Sequence, residues 1–221
     1  MCRFLMVKSQ VPVFPEEILF KFAEMAERSK APDGDWQGDG WGVSWLDREG
    51  NWQELKSISP MWEEMDVFSK IPESRLFLAH ARSASFPQHK KILAYNQPFV
   101  QEPFVFVFNG LLKEVSFSYS VPGKIGAQKI WNILLHLLKK HNPREGLEQL
   151  SRVLRNNARR ILALNLGLCD KTNFYVYGQY AENPGYYHLQ FFDTASLKMV
   201  CSEPLEGYEF RPVPLAETLA F

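Results

Sequence analysis

A cysteine follows the initiator methionine in the string Met1-Cys2-Arg3, and the apolar run Phe4-Leu5-Met6-Val7 follows that. Once Met1 is trimmed, Cys2 carries both a thiol and the free α-amine of the chain. With the amine at a pKa of ~7.7–8.0 and the thiol at ~8.5, a proton can pass between them near neutral pH. A thiol with an N-terminal amine as its base is an activated nucleophile, suited to attack on a carbonyl carbon. An extended strand behind it would hold it rigidly. Taken alone, the segment reads more simply as a small hydrophobe opening an edge strand.

Four later tracts carry further polar groups: Asp39-Gly40-Trp41-Gly42, Ala79-His80-Ala81-Arg82, Asn96-Gln97-Pro98-Phe99 and Asn109-Gly110. Each has a plain structural role available. Asn-Gly directly after an apolar strand is a strong hairpin signal. Arg82 suits an exposed charge at a strand end, Trp41 a core position and His80 a structural histidine. Cys169 and Cys201 read as inert, and Lys90-Lys91 as solvated.

The elements that would position these residues follow from periodicity. After the first strand, Pro15-Glu16-Glu17 opens a helix whose apolar stripe is Ile18, Leu19, Phe22, Met25 and Ala26, closed by Pro32. The glycine-rich residues 31–40 lead into a strand at 41–46 and a hairpin partner from Trp52. Because that loop precedes a strand instead of opening a helix, it is no phosphate cradle. A short helix is expected over 60–70, strands over 75–82 and 104–108, with the second stopping at Asn109-Gly110, and a loop over 83–94. Helices follow over 126–140 and from Asn142-Pro143-Arg144-Glu145 to about 157, the latter with a capping signature. The remainder reads as strands at 161–168, 173–179, 186–192 and 197–201. With no repeat, linker or composition break, residues 1–221 form one α+β domain.

Composition narrows the function. Lys plus Arg and Asp plus Glu number 25 each, which leaves no basic excess for nucleic acid. Three scattered cysteines form no disulfide framework, and the five histidines show no metal-ligand spacing. Neither a signal peptide nor a membrane-length apolar run is evident. A cytoplasmic protein without cofactor or metal is expected.

Taken in register with Met1-Cys2-Arg3, the four tracts, joined by Ser202-Glu203-Pro204-Leu205, resemble the class II glutamine amidotransferases, which are N-terminal-nucleophile hydrolases. The likeness is greatest to small stand-alone glutaminase domains and spans essentially the whole chain. It implies a four-layer αββα sandwich of two mainly antiparallel sheets between helix layers. It also implies Cys2 as a nucleophile that forms a thioester, with its own α-amine as base. The oxyanion donors would be the Asn109 side chain and the Gly110 backbone N–H. Arg82 would clamp a substrate carboxylate through two parallel hydrogen bonds, and Trp41 and Gly42 would shape the pocket wall.

The pattern breaks at one place. Members that hydrolyse glutamine carry an acid just before the long helix to hold the substrate α-ammonium, whereas this chain has Gly126-Ala127-Gln128. Three functions are therefore open: a glutaminase feeding ammonia to a separate synthase subunit, a hydrolase of a γ-glutamyl-type or amine-substituted amide, and a catalytically silent binding or regulatory module.

Overall fold

The structure is a computed structural model that describes residues 1–31 and 34–221. In chain order the elements are β1 (Arg3–Val13), α1 (Glu16–Arg28), β2 (Trp41–Leu46), β3 (Trp52–Ser57), β4 (Ser74–Ala81), β5 (Phe99–Gln101) and β6 (Phe104–Val115). Then come α2 (Gly126–Leu137), α3 (Pro143–Asn157), β7 (Ala158–Cys169), β8 (Phe174–Tyr180), α4 (Pro184–Tyr187), β9 (Gln190–Asp193), β10 (Leu197–Cys201), β11 (Arg211–Pro212) and β12 (Thr218–Ala220).

Two antiparallel sheets form, one in the order β11-β9-β10-β1-β4-β2-β3 and the other in the order β12-β8-β7-β6-β5. Successive side chains of a strand point to opposite faces, and the central strands use both. In β1, Phe4 and Met6 enter the layer between the sheets, while Leu5 and Val7 enter the layer under α1. In β6, Val105 and Val107 meet the first sheet, and Phe106 and Phe108 meet α2 and α3. The result is the helix–sheet–sheet–helix sandwich that the resemblance implies. Close packing between the sheets needs Gly167, where an added Cβ would lie 2.4 Å from Met6 Sδ and 2.6 Å from Val107 Cγ2.

The helices begin where the sequence signals place them. Glu16 and Glu17 occupy the first turn of α1, and the Asn142 side chain accepts a hydrogen bond from the Glu145 N–H at 3.0 Å to cap α3. Helix α1 ends at Arg28; the closure expected at Pro32 lies outside the described residues.

Four expectations change. Strand β6 does not stop at Asn109-Gly110 but runs through to Val115, because β7 pairs with it along that whole length, with Asn109 opposite Asn165 and Gly110 opposite Leu164. Residues 60–70 form two 3₁₀ segments, Met61–Glu63 and Met65–Lys70, instead of one helix. Helix α2 ends at Leu137, short of residue 140. The strand expected over 186–192 splits into the single turn of α4 and the short β9, since Pro184 starts a helical turn that Asn183, at φ 53°, leads into.

Candidate active site

Side-chain alternation brings the polar tracts together. Cys2 has the same parity as Phe4 and Met6, and Asn109 the same parity as Val105 and Val107. Each therefore faces the inter-sheet layer, one from each sheet. His80 and Arg82 share parity with Leu76 and Leu78 and face the same way, with His80 opposite Phe4 in the β1–β4 ladder. Cys2, Arg82, Gln97, Asn109 and Gly110 line one cavity of about 470 Å³.

Hydrogen bonds fix the Cys2 end. Cys2 Sγ lies 3.4 Å from the Ser83 N–H and 3.5 Å from its carbonyl. Burial pushes the thiol above its ordinary pKa, opposed by the Met1 ammonium, the Ser83 N–H and Arg82. The Met1 ammonium meets Asp35 Oδ2 at 2.5 Å, and the Met1 carbonyl accepts from Gln37 Nε2 at 2.7 Å and the Tyr186 hydroxyl at 3.1 Å. Burial works to raise the Asp35 pKa, but the Met1 ammonium and the Ser83 hydroxyl, which also donates to Asp35, hold it below the usual carboxylate value.

Behind Cys2, Arg3 anchors the start of β1. It is 1 % exposed and donates to Ser29 Oγ at 2.7 Å, the Tyr186 carbonyl at 2.8 Å and Glu203 Oε2 at 3.1 Å. Its guanidinium lies 3.5 Å from the centroid of the Tyr186 ring. A planar fork with this many fixed acceptors positions the preceding residue far better than a flexible ammonium would.

The opposite wall is prepared differently. Gln97 grips β6 with its side-chain amide, accepting from the Phe108 N–H at 2.6 Å and donating to the Phe108 carbonyl at 3.2 Å. The N–H groups of a strand alternate between its edges, so the Gly110 N–H, two residues on, points to the same edge, past the end of β5. A Cβ at Gly110 would sit 2.5 Å from the Ala163 carbonyl and 2.7 Å from the Phe108 ring, so close packing excludes a side chain there. Asn109 is 1 % exposed, and both its amide oxygen and nitrogen lack a hydrogen-bond partner. A buried orphan amide is costly, on the order of 1–3 kcal/mol.

Arg82 sits between these walls. Its guanidinium donates to the His89 carbonyl at 2.6 Å, Asn96 Oδ1 at 3.3 Å and the Asp39 carbonyl at 3.4 Å. Of its five donors two N–H groups remain, and it is 4 % exposed. Trp41 and Gly42 are not among the cavity-lining residues. The Trp41 ring has the other parity and packs under α1, with Nε1 donating to Glu64 Oε2 at 2.9 Å. A Cβ on Gly42 would meet the Gln97 carbonyl at 2.4 Å, so this glycine lets the segment carrying Gln97 close over β2. Neither forms the pocket wall that the resemblance implied, because strand parity turns Trp41 into the layer under α1 and Gly42 has no side chain to present.

His80 is fully buried with neither ring nitrogen bonded. Burial, and then Arg82, push its pKa down to about 3 although the Phe108 backbone favours the cation. It is neutral at physiological pH and does not line the cavity. No group of three or more metal-binding side chains occurs among the described residues, and no helix among them is long and apolar enough to cross a membrane.

Residues 1–179 match the family of class II glutamine amidotransferases. The chain belongs to this family. Solved structures of similar fold include a glutamine aminotransferase class-II domain protein from Silicibacter pomeroyi, at TM-score 0.66 and 15 % identity, with 99 % of this chain and 94 % of that one covered. A glutamine phosphoribosylpyrophosphate amidotransferase from Bacillus subtilis gives TM-score 0.69 and 15 % identity, with 99 % of this chain and 47 % of that one covered. This chain thus spans about half of that enzyme. A predicted glutamine amidotransferase from Pseudomonas aeruginosa gives TM-score 0.57 at 15 % identity over 100 % of this chain and 97 % of that one. None of the curated protein sequences matches.

In this class II amidotransferase domain, Arg3, Asp35, Gln97 and Tyr186 shape the site although sequence reasoning gave none of them a role. Arg3 and Gln97 stood inside the quoted tracts and were available as a buried strand charge and a polar residue before a proline. Asp35 and Tyr186 carried no local signal, because each meets Met1 only through the tertiary fold.

Proposed function

We propose that this chain is an N-terminal cysteine amidohydrolase that releases ammonia or an amine from glutamine or a γ-glutamyl-type amide. With Met1 removed, the Cys2 α-amine takes the thiol proton and the thiolate attacks the carboxamide carbon. The tetrahedral oxyanion receives hydrogen bonds from the Asn109 amide and the Gly110 N–H. The α-ammonium returns its proton to the departing nitrogen, and ammonia leaves a thioester on Cys2. Water, deprotonated by the same amine, then adds to the thioester. Collapse of that second tetrahedral intermediate expels the Cys2 thiol and frees the carboxylate. The two unengaged N–H groups of Arg82 suit a substrate carboxylate. No step calls on a cofactor.

The observation that carries this reading is the buried, unbonded Asn109 amide on the wall across from the thiol. Acyl transfer at Cys2 needs a thiol and a preorganised amide donor on one cavity, and both line this one. The test is ammonia release, measured by coupled assay over a panel of glutamine and γ-glutamyl amides, with Met1 loss checked by mass spectrometry. Wild type should turn over at least one amide and Cys2→Ala none. A folded, Met1-free wild type that is no faster than Cys2→Ala on every amide overturns the reading.

A further inference from the structure

The walls of the cavity divide by chemistry. Polar side chains on the lining include Arg82, Ser83, Gln97 and Asn109, and apolar ones from the far part of β6, the following loop and α2 include Leu112, Val115, Phe117, Ile125, Ile130 and Ile133. Phe86, also on the lining, is 56 % exposed and extends the apolar wall to the mouth. Lys124 and Lys129 stand on the lining as well, exposed and without an acidic partner. Among the described lining residues none is Asp or Glu. While Met1 is present, Asp35 is bonded to its ammonium and to the Ser83 hydroxyl, and Asp39 is bonded to the Ala84 N–H and Lys90. With Met1 removed, the next cation along the chain for the Ser83-bound Asp35 carboxylate is the α-amine of Cys2 itself.

Such a site handles free glutamine poorly. Its α-ammonium would lose water with no counter-charge to meet it, beside three cations. The volume of about 470 Å³ also falls in the range of about 300–1,000 Å³ typical of pockets for drug-sized ligands. We propose that the substrate class is a glutamine-type carboxamide that keeps its carboxylate but has its α-amine acylated by an aliphatic or aryl group, an N-acylglutamine. The acyl group removes the positive charge and lies on the apolar wall, while the carboxylate meets Arg82 and the lysines at the mouth. This inference rests on the amide-cleaving reading above.

Binding to Met1-free Cys2→Ala protein tests it apart from turnover. Calorimetry with glutamine, N-acetylglutamine and N-octanoylglutamine should give increasing affinity in that order. Each pair of added methylenes in contact with the wall should gain roughly tenfold until the wall is covered. Ala127 is buried on the lining in the first turn of α2, where an acid is tolerated by the helix dipole. Ala127→Asp should therefore improve glutamine binding and weaken that of both acylglutamines, each by on the order of tenfold. Lys124→Glu with Lys129→Glu, both exposed, should weaken acylglutamine binding without affecting the fold. Glutamine binding as tightly as N-octanoylglutamine, or N-octanoylglycine (which lacks the carboxamide) binding equally well, overturns the inference. Absence of ammonia release by the Cys2 enzyme, with the binding order intact, overturns only the catalytic reading.

Discussion

Among the buried polar side chains without a hydrogen-bond partner, Asn109 and His80 face the inter-sheet layer and make opposite predictions. The Asn109 amide is orphaned at a cost to the fold, so Asn109→Leu should hold or raise the urea midpoint while lowering kcat about 10²–10³-fold. Loss of both stability and activity in proportion would mean that the amide is bonded in the resting protein. His80 offers catalysis nothing but sets a pH limit. Its folded pKa is about 3 against an ordinary 6.5, so between those values only the unfolded chain takes up the proton. Stability from this residue is complete above pH 6.5 and drains away as pH falls towards 3, by about 2 kcal/mol at pH 5. Urea titrations at pH 7 and pH 5 should show that drop shrinking in His80→Leu; an unchanged drop would place the acid sensitivity elsewhere. Cys2, Arg82, Asn109 and Gly110 each have a plain structural reading alone, and only the five tracts in register singled them out; the structure brings all four to one cavity. Trp41 was legible as core and not as wall, since one step of strand parity separates the two faces.

At the scale of elements, helices were easiest to read. A 3.6-residue stripe is a local signal; α1 adds an acidic first turn and α3 an Asn142 cap, while α2 has the stripe alone, and all three begin where these signals lie. Asn142→Ala should cost about 1 kcal/mol, seen as a lower thermal midpoint with no change in ligand affinity. The strands misled wherever a local turn signal met a long-range partner. Asn109-Gly110 reads as a turn from neighbours alone, yet β7 pairs straight across it, and Gly110 is glycine because the Ala163 carbonyl and the Phe108 ring leave no room. Gly42 has the same origin, so Gly42→Ala should push the Gln97 segment outward. Activity should fall more than stability, because Gln97 aligns the backbone just before Asn109. Equal loss of both would show that Gly42 only serves packing.

Across the whole molecule, Cys2 and Asn109, the proposed nucleophile and oxyanion donor, approach from different sheets, joined by a layer of packed side chains that closes on Gly167. Loosening that layer separates the two groups before either ladder of backbone hydrogen bonds melts. On heating, ammonia release should therefore fade several degrees below the far-ultraviolet transition, and coincident curves would refute a catalytic centre divided between sheets. The grip on Met1 has a consequence of another kind. Its amine is tied to Asp35, its carbonyl to Gln37 and Tyr186, and its side chain is only 10 % exposed. A processing peptidase needs the first residues loose and extended. Once β1 is seated between β4 and β10, that substrate no longer exists. On the proposed mechanism, excision and folding therefore compete, and protein refolded with Met1 still attached should stay inactive when a methionine aminopeptidase is added afterwards.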